Sequence, residues 1–466
     1  MPFSEKNKAI FLISFSIIFY FIFAYFLERT SFFSLITLWF SLFACFYFLL
    51  KNNNISFTTY AGIAILFRLI FLFAIPNLSQ DFYRFIWDGR MILNGFNPYL
   101  SLPETFIHQN LAPVSDSNTL YTGMGTLNGS HYTNYPPVNQ LCFLIAAIFS
   151  SKSIFGAVIV LKLIIILADI GILYFGKKLL ERLKLPVKNI FWYILNPFII
   201  IEMTGNLHFE SVMLFFLVWG FYKLHQQKWI WAAILIACSI SVKLIPLLFL
   251  PLFFQWFVKK NNNEATVGTT SFAKQKLNYK GFLNLISFYT IIIAITMLLF
   301  LPFYSSELIA NYSNSVGLWF RNFEFNASFY YVFREIGYLF RGYNEIAIIG
   351  KITPIVTILF LIIVAFSRNN KTLIQLITAM LFCLCFYYFT ATTVHPWYLA
   401  TPLILSVFTK YKFPVVWSLV IILTYQAYAN TPWKENLWLV FIEYLIVFSF
   451  LIFELRKKNQ NKEILK

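Results

Sequence analysis

Charged side chains are scarce in this sequence, because Asp, Glu, Lys and Arg make up only 12% of its 466 residues. Soluble domains contain roughly 25%. Hydrophobic residues account for 59% of the chain, and phenylalanine alone occupies 57 positions. This composition excludes an ordinary soluble domain and predicts an integral membrane protein. No stretch has the composition of a second, soluble domain.

Acidic residues are rarer than basic ones, with 19 against 36 and a formal net charge of +17. In a soluble protein this excess would suggest a nucleic-acid partner. Here the basic residues lie in short connections between apolar runs, which is typical of the cytoplasmic loops of membrane proteins. We therefore predict membrane lipid as a partner and no nucleic acid.

Cysteine is also sparse, and its pattern excludes a metal site or a disulfide framework. All five cysteines (Cys45, Cys142, Cys238, Cys383 and Cys385) lie within apolar runs, so we expect small core residues. No acidic pair is arranged for tight metal binding, and we predict no metal and no cofactor. An internal repeat of fixed period is not visible either, which disfavours a transporter built from inverted repeats.

Apolar runs that can cross a bilayer recur along the whole chain, beginning at residues 9–27, 32–50 and 58–76. A crossing helix needs about 20 such residues. These runs predict an all-α polytopic fold, one integral membrane domain over residues 1–466 with roughly 12–14 transmembrane helices. The first run is too long for the core of a signal peptide and has no cleavage site after it, so we expect a helix there.

Three connections stand out by length or polarity. Residues 77–136 lack the basic bias of a cytoplasmic loop and are predicted to form the first external loop, and residues 304–343 form a second one. Residues 259–280 are rich in Lys and Asn and read as a cytoplasmic linker. The distribution of basic residues predicts a multi-pass protein of the cell inner membrane. A loop as long as the first is usually functional.

Two apolar segments are too short for ordinary crossings. Residues 138–150 predict an interfacial or re-entrant helix. Residues 229–257 lie between basic connections, so they must cross twice or not at all, and two short helices broken around 241–246 fit best. Lys243 would lie at this break, where a lysine is costly unless it serves a site or a cavity.

The densest cluster of charge opens the first external loop. If residues 81–90 are helical, Asp81, Arg84 and Asp88 share one face. Each residue also has a purely structural explanation. Asp81 could stabilise the start of a helix, and an Arg84–Asp88 ion pair at i,i+4 would make Asp88 structural. The arginine side chains could extend to the membrane interface.

The other polar clusters fall on the same predicted side of the membrane, which indicates one external active site. They contain Arg90, Tyr135, Gln140, Asn206, His208, Glu210, Lys243, Arg321 and His395.

These clusters also form recognisable motifs. They read Asp81-x-Tyr83-Arg84-x-x-Trp87-Asp88-Gly89-Arg90, Gly95-x-Asn97-Pro98-Tyr99, Tyr135-Pro136-Pro137-x-x-Gln140, Asn196-Pro197, Gly205-Asn206-x-His208, Val242-Lys243-x-x-Pro246 and Val394-His395-Pro396-Trp397-Tyr398. In this order, and over most of the chain, they resemble the GT-C superfamily of polyprenyl-phosphate-dependent glycosyltransferases. The most similar branch contains the bacterial α-1,6-mannopyranosyltransferases.

This resemblance implies an inverting enzyme that transfers a hexose, with mannose expected, from a polyprenyl-phosphate donor to a glycan or glycolipid acceptor outside the cytoplasm. Asp81 would be the general base, and Arg84, Lys243 or Arg321 would hold the donor phosphate. A membrane-facing groove would accommodate the donor. The remaining residues expected to bind substrate are Asp88, Arg90, Tyr135, Gln140, Asn206, His208, Glu210 and His395.

A transporter or flippase for lipid-linked sugars is the alternative. Such a protein should carry intramembrane charges or a repeat that lead from one side to the other. The polar clusters of this sequence stay on one predicted side, which favours the enzyme.

Overall fold

The computed structural model describes residues 5–258, 278–321 and 323–463, but not the side chains at 319–321 and 458–463. Within these ranges the chain folds into helices joined by short turns, and no strand forms apart from one isolated bridge between Phe325 and Thr393. Most of the predicted linker, residues 259–277, lies outside the described residues.

Long apolar helices dominate the fold. Seven in the described ranges are long and apolar enough to cross a membrane: Glu5–Tyr25, Phe32–Leu50, Ile154–Arg182, Tyr279–Phe303, Ile346–Ser367, Leu373–Thr390 and Leu437–Lys457. A further candidate is the bent pair Pro197–Gly205 and Glu210–His225, whose two helices meet at 116°. The predicted all-α, multi-pass architecture is confirmed.

Shorter apolar helices fill the spaces between these spans. In the described part of the chain they are Phe57–Ile70, Pro137–Phe149, Trp229–Ile240, Ile245–Val258, Pro396–Val407 and Phe413–Ala429. The break expected around 241–246 is present, since one helix ends at Ile240 and the next begins at Ile245. The segment expected to be too short to span is a helix of 13 residues, Pro137–Phe149.

The third apolar run differs from the expectation, because the helix ends at Ile70 and not near residue 76. Turns follow it, and the buried Lys162 donates hydrogen bonds to the carbonyl oxygens of Phe71 (2.7 Å) and Ala74 (2.5 Å). Carbonyl groups after the last helical turn need such a donor when water is absent. A lysine on a distant helix therefore stabilises an early end to this one.

The segment predicted to be the first external loop, residues 77–136, contains the helices Asp81–Leu93, Pro103–His108 and Ser117–Gly129. Asp81–Leu93 packs closely on Pro137–Phe149. A Cβ atom placed on Gly89 would lie 2.2 Å from the carbonyl oxygen of Phe143, so only glycine permits this approach. The contact fixes the helix that Asp81 begins.

The segment predicted to be the second external loop, residues 304–343, contains the helices Leu308–Arg321 and Phe329–Arg341. Between them, the Phe325 N–H donates to the Thr392 carbonyl (3.1 Å), and the Val394 N–H donates to the Phe325 carbonyl (2.8 Å). This short ladder ties the loop to the segment that carries His395.

Candidate active site

A cavity of about 830 Å³ lies where the two loops predicted to be external meet the bent helix pair. Segments that are remote in sequence converge on it. The predicted site residues that line the cavity are Asp81, Arg84, Tyr135, His208, Glu210, Lys243 and His395.

Asp81 is the first residue of its helix, and it presents its carboxylate to the cavity. The Asn128 side-chain amide donates to Asp81 Oδ1 at 3.4 Å. Burial raises the pKa of Asp81 above its usual value, although the charge of Lys243, the Asn128 hydrogen bond and the charge of Arg29 oppose this increase. Among the described residues no cation comes within 4.0 Å of the carboxylate. The carboxylate is therefore more basic than usual and free of a direct ion pair.

Lys243 and Glu210 form an ion pair in the cavity wall. Lys243 follows the helix Trp229–Ile240, and Glu210 begins the helix Glu210–His225, so two helix ends meet here. Lys243 Nζ lies 2.5 Å from Glu210 Oε1. The break in the apolar block thus delivers a cation to the cavity, where a carboxylate already compensates its charge.

Three rings stack beside this ion pair. The Trp397 ring lies 3.9 Å from the ring of His208 and 4.5 Å from that of His395, centroid to centroid. Burial, together with the positive charges of Lys243 and Arg29, lowers the pKa of His395 to about 3. His395 is consequently neutral at physiological pH and can contribute hydrogen bonds but no charge.

Arg84 lines the cavity, but two of its three guanidinium nitrogens already donate hydrogen bonds within the protein. Its Nε donates to Asp88 Oδ1 at 2.8 Å, as the spacing predicted. Its Nη1 donates to the carbonyl oxygens of Asn128 (2.7 Å) and His131 (2.8 Å). Gln140 donates to Asp88 Oδ2 at 3.0 Å. Neither Asp88 nor Gln140 lines the cavity, and this network braces the loop.

Arg90 and Asn206 also lie outside the cavity lining. Arg90 Nη1 contacts Asp116 Oδ2 at 3.2 Å within the same loop, residues 77–136. Asn206 accepts a hydrogen bond from the Leu78 N–H and donates one to Glu202, both at 3.2 Å. Asn206 thus connects the bend of the helix pair to the segment that leads into Asp81. Both side chains position the loop, and neither is brought to the cavity surface where substrate contact was predicted.

Arg321 ends the helix Leu308–Arg321, and its side chain lies outside the described residues. Sequence reasoning missed Arg29, which lines the cavity with its guanidinium carbon 3.3 Å from the centre of the Tyr428 ring. One signal could have found it. Arg29 directly follows the first predicted span, residues 9–27, whereas Lys6 and Lys8 precede it. Arg29 therefore falls on the predicted external side, against the usual distribution of Lys and Arg. Tyr428 carries no comparable signal.

The fold and the cavity define a multi-pass membrane protein with a site that contains a basic carboxylate and several cations. A family model described as alpha-(1->6)-mannopyranosyltransferase, N-terminal domain, matches residues 13–259, more than half of the chain. The chain therefore belongs to this alpha-(1->6)-mannopyranosyltransferase family, and the predicted mannosyltransferase branch of the GT-C superfamily is confirmed.

Two relatives carry the same name. Alpha-(1->6)-mannopyranosyltransferase A of Corynebacterium glutamicum is 27% identical over 189 residues, which cover 40% of this chain and 36% of that protein. Its namesake in Mycobacterium tuberculosis is 22% identical over 186 residues, covering 40% and 34%. The match to this chain thus spans about a third of the length of each relative.

Proposed function

We propose that this protein is a membrane enzyme that transfers mannose, with inversion, from a polyprenyl-phosphate donor to a glycan or glycolipid acceptor. The observation that carries the proposal is the position of Asp81, which shares one cavity with Arg29 and Lys243 and has a raised pKa. Family membership and the names of the two relatives favour mannose as the sugar. The distribution of basic residues favours a site outside the cytoplasm.

The residues of the cavity match the needs of a single displacement. The acceptor hydroxyl oxygen attacks the anomeric carbon as the bond from that carbon to the phosphate oxygen breaks. The bonding pair leaves with the polyprenyl phosphate, and the hydroxyl proton passes to the Asp81 carboxylate. Attack opposite the leaving group inverts the anomeric configuration. Cations in the cavity stabilise the phosphate as it departs.

The cavity also has an apolar side that suits a lipid-linked donor. Leu247 and Leu248 line it beside the broken helices, and Pro354 and Ile358 line it from the span Ile346–Ser367. That span is mostly exposed on its other faces, where lipid would surround it. A polyprenyl chain lying along this side would keep its phosphate at the polar end, which supports the proposed donor.

The proposal is tested by turnover. Purified full-length protein receives polyprenyl-phosphate-mannose with labelled mannose and a mannoside acceptor, and NMR identifies the anomeric configuration of the product. We expect a β-linked donor to give an α-linked mannoside. The same assay in EDTA tests the prediction that no metal cofactor is needed.

The alternative, a flippase, is tested with the same preparation. Proteoliposomes that move labelled donor between leaflets, but form no mannoside in either leaflet, would overturn the proposed transfer.

A further inference from the structure

The cationic side chains that line the cavity differ in whether they form an ion pair. Of the side chains that the structure describes, those of Arg29, Arg84 and Lys243 bring a Lys or Arg charge to its lining. Lys243 is paired with Glu210, and Arg84 is paired with Asp88. Both of these cations are therefore compensated before any ligand arrives.

Arg29 differs from the other two cations. No carboxylate oxygen of the described residues lies within 4.0 Å of its guanidinium nitrogens, and its buried Nε has no hydrogen-bond partner. Arg29 as a whole is only partly buried, so its unmet group is this buried Nε–H. An anion in the cavity would supply the missing acceptor. The planar group can also bind a phosphate through two N–H donors at once.

Tyr428 determines where this guanidinium lies. The charged group sits 3.3 Å from the centre of the Tyr428 ring, within the range in which a cation is attracted to an aromatic face. The five N–H donors of a guanidinium lie in its own plane. The Tyr428 side chain therefore holds the group in place, while the buried Nε–H has no partner within the protein.

The backbone around Arg29 is tied to the segment before Asp81. The Asn77 side-chain amide donates to the carbonyl oxygens of Phe23 (2.8 Å) and Leu27 (2.9 Å), at the end of the first helix. The charge of Arg29 also opposes the increase in the Asp81 pKa. The free cation and the basic carboxylate therefore belong to the same part of the cavity.

We propose that Arg29 binds the phosphate of the donor and that Tyr428 is its positioning residue. This inference rests on the proposed function, and it transfers the phosphate-binding role from Arg84, Lys243 and Arg321 to a residue of the first connection. When the sugar leaves, the phosphodiester becomes a monoester with greater negative charge. Arg29 thus binds the departing group more strongly than the intact donor, which accelerates the reaction.

The test measures binding of farnesyl phosphate, with farnesol as its uncharged counterpart, to the purified full-length protein by native mass spectrometry. Arg29→Gln should weaken the binding of farnesyl phosphate at least about tenfold and leave farnesol binding unchanged. Arg29→Lys should restore part of the loss, because it keeps the charge without the planar fork. The matched control is Arg341→Gln, whose side chain is 60% exposed on the helix Phe329–Arg341.

Tyr428 is tested in the same assay. Tyr428→Leu should weaken farnesyl phosphate binding several-fold, and Tyr428→Phe should recover most of the affinity because it restores the aromatic face. Equal loss in both variants would overturn the positioning role. Thermal unfolding of each variant shows whether the fold is retained.

The outcomes separate the two proposals. If wild type forms no mannoside but binds farnesyl phosphate through Arg29, the proposed function fails and the phosphate site stands. If wild type transfers mannose and Arg29→Gln binds farnesyl phosphate as tightly as wild type, the inference fails alone. Absence of farnesyl phosphate binding by wild type would also overturn it.

Discussion

Two opposing effects determine the pKa of Asp81. Burial favours its protonated form, whereas Lys243 and Arg29 favour the carboxylate. Burial prevails, so the pKa is raised while no cation neutralises the group directly. A base with a raised pKa accepts a proton more readily than an exposed aspartate, provided that the working pH remains above that pKa. Under the proposed function, the same two cations would also attract the anionic donor to the cavity.

Transfer should therefore decline in acid at a pH above about 3.9, the pKa of an exposed aspartate, because the base must be deprotonated. Lys243→Gln should move this decline to higher pH. It removes the charge that lowers the Asp81 pKa most, and it leaves the Glu210 carboxylate without its ion pair.

The measurement is kcat/KM against pH, with the exposed Lys8→Gln as the control. Acid declines that coincide in wild type and Lys243→Gln would contradict the coupling between Lys243 and Asp81.

At the scale of elements, the position of Asp81 depends on how closely its helix approaches Pro137–Phe149. Gly89→Ala places a Cβ atom 2.2 Å from the Phe143 carbonyl oxygen, so the helices must separate. We expect a loss of about 1–3 kcal/mol of stability and a fall in transfer rate. In the control, Gly62→Ala, nothing lies within 4 Å of the new atom, and the helix should gain about 0.5–1 kcal/mol.

Thermal unfolding and initial rates of the two glycine variants are measured side by side. Equal stability of Gly89→Ala and wild type would show that the close approach is unimportant.

At the scale of the whole molecule, hydropathy correctly predicted an all-α fold that crosses the membrane several times. The first two spans and the break around 241–246 follow from the length of apolar runs and the position of Lys243. The early end at Ile70 could not be predicted in this way. It depends on Lys162, which reaches the carbonyl groups of Phe71 and Ala74 from a helix some 90 residues away in sequence.

The candidate site was predictable to a similar extent. Spacing and motif identified Asp81 and Lys243, and the structure brings both to the cavity. Spacing could not distinguish a polar side chain that faces the cavity from one that binds another residue of its own loop, as Arg90 does with Asp116. Arg29 was not predicted as a site residue, because Tyr428, the ring that its guanidinium contacts, lies almost 400 residues further along the chain.

The Asp81→Asn variant should fold as the wild type does, because the raised pKa of Asp81 means that burial favours a neutral side chain at this position. A raised folded pKa means that the stabilising form is the protonated one. Its contribution is present below the unfolded pKa of about 3.9 and is lost as the pH rises through the folded value. At neutral pH the ionised carboxylate is therefore the less stable form, and a neutral Asn should not lower the melting temperature.

The most direct test of the central claim compares Asp81→Asn with Glu104→Gln in the mannosyl transfer assay. Glu104 lies in the same loop, in the first turn of the helix Pro103–His108, and is outside the cavity lining. If Asp81 is the base, Asp81→Asn should reduce kcat by roughly 10²–10⁴-fold at an unchanged melting temperature, while Glu104→Gln keeps wild-type activity. An Asp81→Asn variant that retains most of its transfer activity would contradict the assignment.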